Sequence, residues 1–283
     1  MRLASPTNQA GIEAFLDARL PYVMFPRTNL ADYGLQGTAP YASRYWLTEG
    51  TPGITDLLAL SNNGVVQPCL PSADYASAAR ILQGCSVSAL VGPLAQVRGL
   101  MGPLGLAKAP RAMDSDEPHF LLSLDALTIP EGGTHLIPMR DAPLAVLRAW
   151  FTAYERETLN TPPDRIEAQA AASLARSLAR DAGVVLMHGD TPVAMTGFNA
   201  ILPQAVQVGG VYTPPEVRGQ GHARRAVALH LQQARDSGVQ QATLFSANET
   251  ASKAYRAIGF RHIGEWSVVL LTDPKVIHAK AVP

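Results

Sequence analysis

The residues with the clearest chemical potential lie together at Arg218-Gly219-Gln220-Gly221-His222-Ala223-Arg224. Ahead of them, Val208 to Thr213 is apolar and β-branched, as a buried strand requires. Pro214 and Pro215 cannot continue a sheet ladder, so the strand must stop there. Gly219 and Gly221 allow a tight turn and leave no side chain over it. From Gly221 the pattern becomes helical, with Ala223, Val227, Leu231 and Ala234 on one face and Gly238 as the stop. A strand, a glycine turn and a helix start aim unpaired N–H groups and the positive end of a helix dipole at one point. That point is an anion site, and Arg218, Arg224 and Arg225 add formal positive charge. A phosphate or pyrophosphate suits it. Many strand-to-helix turns carry glycines for geometry alone, so the loop needs support from elsewhere. The Lys-Ser/Thr of a nucleotide P-loop and the second half of a dinucleotide fingerprint are both missing, which turns the choice away from nucleoside triphosphates and nicotinamides.

A second block follows at a fixed distance. Leu244-Phe245-Ser246-Ala247-Asn248 reads as a strand running into a helix cap, Ala251 to Ile258 as a short helix carrying Tyr255, and Gly259-Phe260 as its exit. Together the two blocks resemble the Gcn5-related N-acetyltransferase (GNAT) superfamily: Arg218 to Ala223 is similar to its Arg/Gln-x-x-Gly-x-Gly/Ala loop, and Asn248, Tyr255 and Gly259-Phe260 to its later motif. The run Val211 to Glu216 resembles the FR47-like branch. The resemblance implies acetyl-CoA as co-substrate. Backbone groups of Val211, Tyr212 and Thr213 would hold the pantetheine arm. Arg218, Gly219, Gln220, Gly221, His222, Ala223 and Arg224 would cradle the pyrophosphate, and Asn248 and Tyr255 would contact the coenzyme. It also implies the acyl-CoA N-acyltransferase fold, a mixed, mostly antiparallel sheet flanked by helices.

Acetyl transfer to an amine needs a held thioester, a polarised carbonyl, a deprotonated amine and a protonated leaving thiolate. A fixed backbone N–H near Val211 or Tyr212 is suited to the developing oxyanion. Tyr255 is the candidate general acid, because a phenol and a thiol have comparable basicity; otherwise it is a packed core tyrosine. Asn248 can be a helix cap, a coenzyme contact or both. The base departs from the family's pattern. Where members often carry Glu, this chain has Gln207, which cannot take a proton at neutral pH. Glu155, Glu157, His188 and Asp190 remain open, as does a water chain. Glu216 reads as solvated, and His222 as a backbone member of the loop. No His, Cys or carboxylate cluster has metal-ligand spacing, so no metal is expected. No nucleophile elbow supports a Ser-His-Asp site.

These residues must be positioned by a chain of 283 residues, enough for two domains. With 47% hydrophobic residues it can bury sizeable cores, and 23 basic against 23 acidic residues leave no field that would draw nucleic acid or a membrane surface. Neither a bilayer-spanning run nor a signal-peptide segment is present, so the expected location is cytoplasmic. Cys69 and Cys85 read as packed free thiols. The first half predicts a helix at 8–20, a loop-like passage at 24–35, and strands at 44–47, 54–60 and 65–70, the last two joined by the hairpin turn Asn62-Asn63-Gly64. A helix at 72–82 capped by Ser72, a strand at 87–91, a helix at 94–104 and a strand at 119–124 follow.

The second half predicts a strand at 134–139, then a helix capped by Asp141 in which Leu144, Leu147, Phe151 and Tyr154 share a face. Its next helix opens on a capping box, Asp164-Arg165-Ile166-Glu167. The strands 184–188 and 192–202 are joined by Gly189-Asp190-Thr191, and the strand 205–213 leads into the glycine loop. Loop-like stretches at Ser115-Asp116-Glu117-Pro118 and Ile129 to Gly133 place a boundary between them. The expected domains are 1–128 and 129–283. The element order of the first weakly echoes that of the second, but Pro68 to Asp74 replaces the cradle without glycine or basic residue. The chain thus reads as tandem GNAT-like domains, the first degenerate and serving in packing or substrate shaping. The expected activity is N-acetyl transfer to a small-molecule or peptide amine by a monomer or homodimer; the alternative is a non-catalytic acyl-CoA-binding regulatory module. Trp150, Phe151, Tyr154 and Glu157 are candidates for the acceptor pocket, or core.

Overall fold

A computed structural model describes residues 1–51, 53–159 and 161–278. The chain forms two compact units, one of Met1–Glu117 with the stretch from Gly264 onward, the other of Pro118–Ile263. In chain order the elements are β1 (Arg2–Leu3), α1 (Gln9–Asp17), α2 (Met24–Tyr33), β2 (Ser43–Gly50), β3 (Gly53–Ser61), β4 (Val65–Cys69), α3 (Tyr75–Ile81), β5 (Ser86–Pro93), α4 (Leu94–Met101) and β6 (Arg111–Ser123). There follow β7 (Thr134–Pro138), α5 (Leu144–Glu157), α6 (Ile166–Arg180), β8 (Gly183–His188), β9 (Thr191–Leu202), β10 (Ala205–Tyr212), α7 (His222–Asp236), β11 (Gln241–Phe245), α8 (Glu249–Arg256) and β12 (Arg261–Val276).

In the second unit the strand order is β6-β11-β10-β9-β8-β7, antiparallel except for the parallel pair β10 and β11. The first unit has β1-β2-β3-β4-β5-β12-β6, with β4 and β5 as its parallel pair. Each parallel pair is joined by a crossover helix, α7 in one unit and α3 in the other. The expected mixed, mostly antiparallel sheet flanked by helices is therefore present.

Apolar periodicity explains how the second unit's helices sit. Val227, Ala228 and Leu231 of α7 bury against Val206, Val208, Ala242 and Leu244. Leu147, Trp150 and Phe151 of α5 and Ala170 and Leu174 of α6 bury with Val185, Met195 and Tyr212. A fully buried leucine such as Leu231 is a site where truncation to Ala costs about 2–5 kcal/mol. The α7 helix is thus locked to the strands that feed the glycine loop. Burial also pushes the Cys69 thiol up to about 12, in keeping with a packed thiol.

Several local expectations are corrected. The passage 24–35 contains α2; Pro26 lies in its first turn, where a missing N–H is harmless, and Gly34 caps its end at φ 63°. Proline and glycine there mark helix ends, not a loop. Helix α3 is capped by Asp74, whose Oδ1 accepts from Ser77 N at 3.0 Å, and not by Ser72. Asp141 ends a 3-10 turn and caps nothing, while α6 starts at Ile166 without the capping box predicted from Asp164. Ser115 to Pro118 is not a loop but the middle of β6. Asp114 and Asp116 pair with Arg98 at 2.6 Å each, and Glu117 accepts from Ser115 Oγ at 3.2 Å, so a polar stretch can pair as a strand.

The sequence places one boundary at 128/129; the compact units divide within β6, at 117/118, and again near the start of β12, at 263/264. The strand after α8 thus pairs β5 in the first unit, and the end of β6 pairs β11 in the second.

Candidate active site

Strands β10 and β11 run together for only three residues, Ala205, Val206 and Gln207 opposite Gln241, Ala242 and Thr243. Beyond them β11 continues to Phe245 and β10 to Tyr212 with no shared register. On its other side β10 is bulged between Gln207 and Val208 and between Gly209 and Tyr212, so neither Gly210 nor Val211 has a cross-strand partner. The glycines make this possible. Gly210 has φ 61° and open space where a Cβ would stand. A Cβ on Gly209 would lie 2.0 Å from Nδ2 of Asn199, which covers that backbone. A strand edge with free N–H and C=O groups is a template for an extended, amide-bearing ligand. Thr213, at the end of this edge, has a buried, unpartnered Oγ1.

The loop follows directly. Gly219 and Gly221 adopt φ 78° and 80°, a region open to glycine at little cost. No side chain caps the start of α7, and its first return bond runs from Arg225 N to Gly221 O at 3.0 Å. The N–H groups of His222, Ala223 and Arg224 therefore lack intrahelical acceptors, at the positive end of a 15-residue helix. Arg224 has a buried Nε with no hydrogen-bond partner, and its Nη2 lies 3.4 Å from where a Cβ of Gly221 would stand. Uncapped amides and an orphaned guanidinium nitrogen are the donors a phosphate group needs, so the residues fit an anionic coenzyme.

The other two arginines are engaged elsewhere. Arg218 donates from Nε to Thr213 O at 2.9 Å and from Nη2 to Glu157 Oε2 at 2.5 Å, with its guanidinium over the Tyr212 ring. It braces the loop to the end of α5. Arg225, expected to add charge to the cradle, instead donates to Pro130 O, to Gly132 O at 2.5 Å and to Thr134 Oγ1 at 2.5 Å. One helical position separates it from Arg224, enough to turn it toward β7.

Asn248 is the cap of α8, its Oδ1 accepting from Ala251 N at 2.9 Å. Tyr255 lies on the inner face of α8, with its ring edge-on to Phe260 at 6.0 Å. Burial, and secondarily Tyr154, raises its phenol above the ordinary tyrosine range, so it stays protonated at neutral pH. Gly259, at φ 106°, has Ala126 O only 2.6 Å from a would-be Cβ, so only glycine fits. Because α7 follows β10 and α8 follows β11, the topology brings Val211 to Thr213, the loop, Asn248 and Tyr255 to the same end of the parallel pair.

Gln207 marks the point of separation. It is 2% exposed, its Nε2 donates to Val208 O at 2.7 Å, and its Oε1 is buried without a partner. Of the other base candidates, Glu155 is buried and accepts from Thr161 at 2.5 Å and Ser173 at 3.2 Å, which ties the α5–α6 connection. Glu157 is paired with Arg218 and 3.4 Å from the Tyr212 hydroxyl. His188 closes β8 beside His222, ring centroids 6.4 Å apart, and Asp190 is exposed in the turn that follows. Burial, then His188, lowers the His222 pKa. No group of three or more potential metal ligands occurs among the described residues. The Glu157–Arg218 bridge has no signature in sequence, because it joins residues 61 positions apart, whereas Asn199 meets Gly209 across the β9–β10 hairpin.

The first unit repeats the strand separation and fills it. Strand β4 pairs β5 only at Val65 and Val66, and Gln67 follows with a buried, unpartnered Oε1, as in Gln207. Beyond it, Pro68 packs 3.2 Å from a would-be Cβ of Gly92, and the Gln96 Oε1 accepts from Leu70 N at 2.7 Å. The Asp74 carboxylate occupies the start of α3, and the Tyr75 ring lies against Gly99 of α4. An anion, an aromatic ring and a proline thus stand where the second unit has an open edge and bare amides.

Residues 144–260 match the acetyltransferase (GNAT) family. No curated protein matches the chain. Among solved structures it is similar to a GCN5-related N-acetyltransferase from Sphaerobacter thermophilus, at 16% identity and TM-score 0.56 over 99% of this chain and 96% of that one. One from Kribbella flavida aligns at 17% identity and TM-score 0.55, over 90% and 95%. A tandem GNAT protein from the clavulanic acid biosynthesis pathway aligns at 14% identity and TM-score 0.53, over 95% and 96%. These likenesses establish the fold along nearly the whole chain, and the family model matches the segment 144–260 within it.

Proposed function

We propose that this protein is an acetyl-CoA-dependent N-acetyltransferase, with its donor site in the second unit. The observation that carries the proposal is the parting of β10 from β11 after Gln207, which leads straight into an uncapped helix start behind two left-handed glycines. The free edge at Gly210 and Val211 would hold an amide-bearing arm, and the amides of His222 to Arg224, with the Arg224 side chain, would hold its phosphates. The amine nitrogen attacks the thioester carbonyl, forming a C–N bond as the C–S bond breaks. A backbone N–H at Val211 or Tyr212 receives the oxyanion without reorganising. Tyr255 returns a proton to the leaving sulfur, and the amine loses one proton. Gln207, fixed by its bond to Val208, takes no part as a base; water is the acceptor of that proton.

The proposal assigns the acceptor's side of the edge to Tyr154 and Glu157, at the end of α5, and to Asn199 on β9. The first unit, its own edge filled, serves as scaffold. The acceptor is a primary amine on a small molecule or peptide. Thiol release from acetyl-CoA over a panel of amines, polyamines, amino acids and peptides tests the proposal. Amine-dependent release supports it, and coenzyme binding without turnover on any amine would favour a regulatory acyl-CoA-binding module.

A further inference from the structure

Helices α5 and α6 leave an open groove of about 440 Å³ between them. Leu144, Arg148 and Thr152 form the α5 wall, one turn apart, and Glu167, Ala171 and Ala175 line the α6 side. Neither Trp150 nor Phe151 reaches it, because both point into the core. The groove is therefore separate from the donor site in its residues. Leu144 is 47% exposed, the kind of large apolar side chain that a partner surface covers. Ala171 and Ala175 are exposed and small, so a facing helix can approach closely.

Its charges indicate which partner. Arg148 and Glu167 are both exposed at the groove, and neither forms an ion pair or hydrogen bond with any described residue. Arg148 lies in the second turn of α5 and Glu167 in the first turn of α6, so one free cation and one free anion are offset along the groove. A two-fold axis between them sets each Arg148 opposite the Glu167 of the other copy. Such an isologous contact satisfies both charges twice and lays two helix pairs face to face as a four-helix layer. We infer that the α5–α6 groove is the dimer interface of this protein, and that its occupant is the same groove on a second copy of the chain.

The test is a charge swap on the full chain, read by sedimentation velocity and light scattering across the micromolar range. Wild type should form a concentration-dependent dimer. Arg148→Glu and Glu167→Arg should each weaken it at least about 100-fold, because each reversal creates two like-charge pairs per dimer. The double variant Arg148→Glu/Glu167→Arg should restore it. Both sites are exposed, so thermal melting should show each variant folded. A wild-type chain that stays monomeric would overturn the inference and leave the groove to another partner. So would a dimer indifferent to the single reversals, or one that the double swap fails to restore. Acetyl-CoA binding, measured on the same variants, should be unchanged, which keeps this inference separate from the assignment of the donor site.

Discussion

Tyr255→Phe is the substitution that isolates chemistry from packing. The ring fills the core between α8 and the sheet and meets Phe260 edge-on, and phenylalanine keeps those contacts. The hydroxyl has no side-chain hydrogen bond to a described residue, so its removal breaks nothing within the fold. Loss of a hydroxyl that holds nothing in the fold should leave stability within about 1 kcal/mol of wild type. Coenzyme affinity should hold within about twofold, because the phosphates are met by backbone and by Arg224. Turnover is another matter. A positioned general acid is worth about 10²–10⁴ in rate, or about 3–5 kcal/mol of barrier. The assay is thiol release at saturating acetyl-CoA and acceptor, beside calorimetric coenzyme binding and thermal melting of the same preparation. A fall in kcat of about 100-fold or more with affinity retained is the expected result. A folded variant with wild-type kcat would refute the role of Tyr255 and return it to the core.

Three further outcomes are expected. Gly221→Glu sets a carboxylate among the helix-start amides at φ 80°, so coenzyme binding should be lost in calorimetry while strain destabilises the fold by about 1–2 kcal/mol. Gly259→Ala drives a Cβ to 2.6 Å from Ala126 O at φ 106°, and chemical denaturation should show a loss above about 1 kcal/mol. Coenzyme affinity should rise as pH falls through the histidine range. His222 is held low in the free protein, by burial first and His188 second, and a bound phosphate favours its charged form, so binding takes up a proton. Equal affinities at pH values above and below that range would exclude His222 from this linkage.

The order of elements in the second unit was legible because its signals are local. Pro214-Pro215 stops β10, Gly221 opens α7, and apolar residues at helical spacing give α5, α6 and α7 their buried faces. What failed locally did so through ambiguous residues. Pro26 and Gly34 punctuate a helix as readily as a loop, and Ser72, Asp74, Asp141 and Asp164 all have the chemistry of a cap while only Asp74 lies at the right backbone position. The stretch at Asp116 resembled a linker because its partner Arg98 is on another element. Long-range features were not legible. The sharing of β6 and β12 between units, the Glu157–Arg218 bridge and the plugging of the first unit by Pro68 and Tyr75 depend on residues that meet only after folding. At the site, the loop amides could be read from two glycines, but Arg225 could not be told from Arg224 without knowing the phase of the helix.

Isothermal titration of the intact chain with acetyl-CoA tests the central claim most directly. The bare helix start and open edge of the second unit, against the filled counterpart in the first, predict one equivalent of coenzyme per chain. The absence of binding would contradict the donor site, and two equivalents per chain would contradict the account of the first unit as closed by its own residues.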